Sequence, residues 1–227
     1  MALALPDGAG AQTDAARWRD ARERLVAEHL IPQGISDSAT LAAMRSVPRH
    51  EFVPPDQRPF AYHDIPLAIG HDQTISQPVV VAFMTQLVRP RPGMRVLEVG
   101  TGSGYQAAVL ARAGATVWSI EIFGALAEEA RARLMQLGFD GVTVCHGDGY
   151  AGWAEQAPFD AIVVTAGADS IPPALIEQLA PGGRLVMPVG DPNVDQQLVL
   201  LEKDATGRVA STRLLPVRFV PLLRGER

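Results

Sequence analysis

The stretch Glu98-Val99-Gly100-Thr101-Gly102-Ser103-Gly104 joins a carboxylate to three glycines at every second residue. Glycines let the backbone turn tightly and let a ligand approach with no Cβ in the way. The spacing is G-x-G-x-G, not the G-x-G-x-x-G of dinucleotide binders. An acid two residues ahead of Gly100 also suits a ligand bearing an ammonium and a sulfonium better than a pyrophosphate. Two further acids stand at comparable places. Glu121 follows Gly100 by 21 residues, where a carboxylate can accept hydrogen bonds from both hydroxyls of a ribose. Asp148, in Gly147-Asp148-Gly149, stands where an adenine amino group could be held. Each acid alone reads more simply as a solvated loop residue. Three at successive strand ends make a nucleoside pocket the better reading.

Such a pocket needs parallel strands whose carboxyl ends share one rim. Short apolar runs at Arg95–Val99, Thr116–Ile122, Val142–Cys145, Phe159–Thr165 and Arg184–Val189 predict five strands. Helical periodicity over Tyr105–Ala113, Ala125–Leu137 and Pro173–Leu179 separates them. Two closing β segments, Gln197–Glu202 and Arg213–Val220, flank Asp204-Ala205-Thr206-Gly207 and read as an antiparallel hairpin at one edge. The fold class is α/β, a Rossmann-like doubly wound sheet of about seven strands. Ahead of it, helices are expected over Asp14–Leu30, Ala39–Arg45 (capped from Ser36-Asp37) and Val79–Val88, with Pro78 in the first turn of the last. Between them lies a proline-rich loop that Phe52, Phe60 and Tyr62 should hold down. The division is a tail over 1–14 and one domain over 15–227, split into a substrate-cap segment, 15–90, and a cofactor-binding core, 91–227.

Composition narrows the function. The chain is 47% apolar with a net charge of −5, which argues against a dedicated nucleic-acid binder. No apolar run reaches the roughly 18–20 residues of a membrane span, and the first residues lack the pattern of a secretory signal. One cysteine, Cys145, excludes an internal disulfide, and five histidines without ligand spacing predict no metal site. Cys145 reads as a small buried hydrophobe, and Arg17, Arg19, Arg22 and Arg24 as a solvated helix face. A cytoplasmic monomer is expected.

Several longer stretches go further. Ala61-Tyr62-His63-Asp64-Ile65-Pro66-Leu67-Ala68-Ile69-Gly70 is followed by Gln73-Thr74-Ile75-Ser76-Gln77-Pro78. With Val47 to Pro54, Glu98 to Ala111, Gly147-Asp148-Gly149, Ala157 to Ile162 and Arg218-Phe219-Val220-Pro221-Leu222, they resemble protein-L-isoaspartate O-methyltransferases from about Arg17 to Leu222. The resemblance implies S-adenosyl-L-methionine as cofactor and polypeptides bearing isoaspartyl residues as substrates. It implies Ser76 as the active-site hydroxyl, with Gln73, Thr74 and Ile75 beside the methyl donor. It also implies a peptide groove involving Asp72, Gln77, Val217, Val220 and Leu222. Three residues depart from the pattern: Asp72 where bacterial members usually have glycine, Val79 where an aromatic is common, and Leu223 where threonine often stands. An inward-facing Asp72 would repel an acidic substrate.

The implied reaction asks little of acid–base chemistry. An isoaspartyl carboxyl is a main-chain α-carboxyl, with a reference pKa of about 3.3–3.7, and is ionised at neutral pH. Catalysis then rests on in-line positioning and partial desolvation, and Ser76 serves as a positioning donor. The ester product closes readily to a succinimide, whose hydrolysis returns some normal aspartate, so the reaction is a repair step. Rival readings are a same-fold enzyme esterifying one aspartate of a dedicated peptide, and a non-catalytic nucleotide-binding scaffold. Retention of Ser76 together with the acids speaks against the scaffold, which needs neither.

Overall fold

The computed structural model describes residues 8–191 and 195–225. Of the expected tail, residues 1–7 lie outside that range, while helix α1 already runs from Gly8 to Arg24. The remainder of the expected first helix changes type. Leu25–Leu30 forms a π-helical turn and Ile31–Gln33 a 3₁₀ turn, ended by Gly34 at φ 89°. That re-phasing buries Leu25, Val26 and Leu30 together. Helix α2, Ser38–Ser46, is capped as expected: the Asp37 carboxylate accepts from Thr40 N at 2.8 Å. Arg22 is not part of a solvated face. It donates to Arg45 O (2.8 Å) and Tyr62 Oη (3.2 Å), and so ties α1 to the end of α2 and to the proline-rich segment.

The proline-rich segment packs down through a buried cation as well as its aromatics. Arg49 is fully buried, donates to Ala61 O at 2.9 Å, and lies 4.9 Å from the Tyr105 ring centre. Burial lowers its pKa to about 10, still far above neutrality. Strands β1 (Leu67–Gly70) and β2 (Gln73–Ile75) then form a small antiparallel hairpin, where only a loop was expected. Its two connecting residues, His71 and Asp72, have φ of 52° and 55°, as a two-residue hairpin turn of the I′ type requires. Helix α3, Pro78–Val88, comes next with Pro78 in its first turn.

The main sheet comprises β3 (Arg95–Val99), β4 (Thr116–Glu121), β5 (Val142–His146), β6 (Phe159–Val164), β7 (Leu179–Asp191), β8 (Asp195–Lys203) and β9 (Val209–Val217), in the order β5-β4-β3-β6-β7-β8-β9. The first five are parallel; β8 and β9 are added antiparallel at one edge. Helices α4 (Tyr105–Arg112), α5 (Gly124–Gln136) and α6 (Pro173–Gln178) make the crossovers. Strand β9 starts and ends earlier than its expected Arg213–Val220 span. Beyond it, the Gln196 side chain pairs with Phe219, accepting from its N–H (2.6 Å) and donating to its carbonyl (3.2 Å).

Both faces of the sheet are covered. Val96, Val117, Ala161 and Val163 pack with Met84, Ala107 and Leu110 on the α3–α4 side, while Leu97, Val99, Ile162 and Val164 pack with Leu175 and Leu179 on the other. This double burial explains why the parallel strands read as continuous apolar runs.

Candidate active site

Chain order reverses at β3, whose neighbours are β4 and β6. Register sets Val99 beside Ile120 and Val164, so the next residues, Gly100, Glu121 and Thr165, emerge on one rim. Gly100 adopts φ 97°, and a Cβ there would fall 2.5 Å from Thr165 Oγ1. That hydroxyl donates to Gly100 O at 2.7 Å and so locks the loop to β6.

Above this rim opens a cavity of about 760 Å³, open solvent at its mouth included, walled by Gln73–Ser76, Val81, Val99–Ser103, Tyr105, Gln106, Ile120–Phe123, Gly149, Thr165, Ala166 and Val220–Leu223. Of the expected cofactor residues, Gln73, Thr74, Ile75, Ser76, Gly100, Thr101, Gly102, Glu121 and Gly149 line it. Glu121 is 4% exposed; its Oε2 accepts from Gly102 N at 2.7 Å and its Oε1 from Phe123 N at 3.1 Å. Each oxygen keeps a further lone pair, so the carboxylate is aimed and can still accept from a diol.

Two expected cofactor residues are not part of this wall. Glu98 does not line the cavity and is fully buried. Its strand position points it to the α3–α4 face beneath the rim, where Ser119 Oγ donates to Oε2 and contacts Thr101 Oγ1, while Oε1 has no partner. Burial, reinforced by nearby Glu121, pushes its carboxyl up to about 8, and its hydrogen bond to Ser119 ties it to the glycine loop. Asp148 is also absent from the wall; its carboxylate accepts from Tyr150 N (2.9 Å) and Gly225 N (3.1 Å), fastening the C-terminal segment.

Glu98 yields a pH prediction. Unfolded, its carboxyl releases its proton near 4.5; folded, near 8. Between these values the native state holds a proton that the unfolded state has lost, so this group makes stability fall as pH rises. Glu98→Gln removes that slope. Urea titrations from pH 5 to pH 8 should show the variant gaining stability relative to the parent; a pH-independent difference would refute the assignment. His50, lowered by burial to about 4, gives an opposite slope between about 4 and 6.5 that cancels in the comparison.

A second groove adjoins the cavity, walled by Pro66, Thr74, Ser76, Gln77, Val80, Thr165 and residues 215–221. The expected groove residues Gln77, Val217 and Val220 line it, while Leu222 lines the first cavity instead. Asp72 lines neither. It is exposed in the hairpin turn at positive φ, which accounts for a glycine preference there by backbone conformation and removes the expected repulsion of substrate. Thr74, Ser76, Thr165, Val220 and Pro221 wall both spaces, and Ser76 is half-buried at their junction. The link between the two long motifs is also visible: Asp64 Oδ1 accepts from Val79 N at 2.9 Å, tying the Tyr62–Pro66 stretch to the start of α3 directly after Ser76. Thr165, Tyr105 and Gln106 were not anticipated. Thr165 could have been, since it ends the strand next to β3.

A doubly wound sheet whose switch-point rim carries a glycine loop and a strand-end acid defines a class I methyltransferase. The family Protein-L-isoaspartate(D-aspartate) O-methyltransferase (PCMT) matches residues 21–227. The chain is 58% identical over 203 residues to the protein-L-isoaspartate O-methyltransferase of Opitutus terrae, covering 89% of this chain and 87% of that one. It is 54% identical over 200 residues to that of Gloeobacter violaceus, covering 88% and 97%. A solved structure named protein-L-isoaspartate O-methyltransferase superposes with a TM-score of 0.80 at 34% identity; the match covers 88% of this chain and 65% of that longer one. A Plasmodium falciparum structure of the same description, in complex with S-adenosyl-L-homocysteine, gives 0.75 at 26% identity, covering 92% and 99%. The chain belongs to the protein-L-isoaspartate(D-aspartate) O-methyltransferase family.

Among the described residues, no helix is long and apolar enough to cross a membrane, and no group of three or more His, Cys, Asp or Glu side chains could hold a metal ion.

Proposed function

We propose that this chain transfers the methyl group of S-adenosyl-L-methionine to the α-carboxylate of L-isoaspartyl residues in damaged polypeptides. One observation carries the reading: Ser76 stands in the wall shared by the cofactor cavity and the peptide groove. When bound, the cofactor supplies a methyl group on a sulfonium, whose transfer to a carboxylate oxygen leaves the bonding electron pair on sulfur. The residues present fit it: Glu121 is aimed for the ribose diol, and Gly100, Gly102 and Gly149 wall the cleft with backbone alone. Among the described residues the Ser76 hydroxyl has no partner of its own, so it is free to donate to one carboxylate oxygen while the other attacks. An α-carboxyl is already ionised at neutral pH, so no general base is needed.

Residues 15–90 act as the substrate cap and 91–227 as the cofactor core, although Gln73–Ser76 of the cap also wall the cofactor cavity. The reading takes the protein as a monomer and, with one cysteine in the chain, as cytosolic. It is tested by offering the protein labelled S-adenosyl-L-methionine and two synthetic peptides that differ only in L-isoaspartate or L-aspartate at one site.

The cofactor half is tested separately. Glu121→Ala is expected to weaken S-adenosyl-L-homocysteine binding by one to two decades, since a hydrogen bond to a charged group is worth about 1.5–3 kcal/mol. Calorimetric titration reads this directly, and an unchanged dissociation constant would take Glu121 out of the pocket.

A further inference from the structure

Gln106, in the first turn of α4, lines the cofactor cavity, is 6% exposed, and takes no part in the wall of the peptide groove. Its amide orientation is set by its neighbour. Thr85 Oγ1 donates its one proton to Val81 O at 2.7 Å, so toward Gln106 it can only accept. Gln106 therefore presents Nε2 to it, at 2.9 Å. That leaves Oε1 buried with no hydrogen-bond partner. An unsatisfied buried acceptor is destabilising, and native proteins keep few of them.

We propose that Gln106 Oε1 receives the α-ammonium of the methyl donor's aminocarboxypropyl chain. The inference rests on the methyltransferase reading and deepens it. A partner for this oxygen must be a donor, and the cofactor has three kinds: adenine amino, ribose hydroxyls and ammonium. The nucleoside end is set by Glu121, Ile122 and Phe123 at the end of β4 and by Gly149 beyond β5. Gln106 lines the same cavity from a different element, the first turn of α4, which directly follows the glycine loop and bonds to Thr85 of α3. Glu98, the acid that the loop motif offers for the ammonium, is turned under the sheet rim. Gln106 replaces it as acceptor. A peptide N–H is disfavoured as the occupant because the groove does not reach this side chain.

The test is calorimetric, with S-adenosyl-L-homocysteine and 5′-deoxy-5′-methylthioadenosine, which keeps the nucleoside and sulfur but lacks the amino acid chain. Gln106→Leu is expected to lose about 10- to 100-fold in affinity for the first and to leave the second unchanged. Gln106→Glu, which keeps an acceptor, should retain binding of the first. Should the leucine variant not fold, Thr85→Val releases Nε2 and should produce a smaller loss with the same selectivity. Equal losses for both ligands, no loss, or a raised peptide KM with unchanged cofactor affinity would each overturn the assignment. If the parent protein binds neither nucleoside, the methyltransferase reading falls with it. Parent binding without a selective loss overturns the Gln106 inference alone.

Discussion

An isoaspartyl peptide is expected to be methylated at least about 10²-fold faster than its aspartyl twin, because even ~1 Å of misplacement at a reacting centre can cost that much. In isoaspartate the reactive carboxyl sits directly on Cα and the chain leaves through the side-chain carbon. A groove walled by Gln77, Ser76 and the Val217–Pro221 segment shares Ser76 with the cofactor cavity, so a carboxyl borne directly on Cα can be held there toward the methyl donor. In normal aspartate the carboxyl lies one methylene further from the backbone. Seated in the same groove, it would overshoot the shared wall at Ser76. Incorporation of labelled methyl into the two peptides at equal concentration measures the ratio. Equal labelling of both, or of neither, would favour an enzyme dedicated to one aspartate of a particular peptide.

Ser76→Ala is expected to lower kcat by about 10- to 10³-fold, an upper bound set by deletions of oxyanion donors. The dissociation constant for S-adenosyl-L-homocysteine should stay near that of the parent protein. The split is informative because Ser76 borders both spaces: a hydroxyl that held only cofactor would move affinity instead. Full turnover in the alanine variant would mean that the backbone around Ser76, anchored through Asp64 and Val79 N, positions the carboxylate by itself.

Much of this was legible in one dimension. Apolar runs alternating with helical segments point to interior parallel strands covered on both faces, and the residues just beyond such strands gather at one edge. Gly100 and Glu121 could therefore be placed together without coordinates. Proline at the start of α3 and aspartate before α2 are equally local signals, because each acts on its own helix turn.

What sequence spacing left open was the direction of side chains and the company they keep. Glu98 stands two residues before the loop, and strand alternation turns it to the α3–α4 face, where burial raises its pKa to about 8. Asp148 is drawn away by the amides of Tyr150 and Gly225, the latter 77 residues distant in the chain. Neither central residue of the β1–β2 turn is glycine or asparagine, so the usual hairpin signal was missing from His71-Asp72. Gln106 reads as one polar residue in a helical run until Thr85, 21 residues earlier, dictates which end of its amide is left without a partner. Element type follows largely from periodicity along the chain; strand order and the acceptors left for a ligand depend on tertiary packing, which decides which groups are already satisfied.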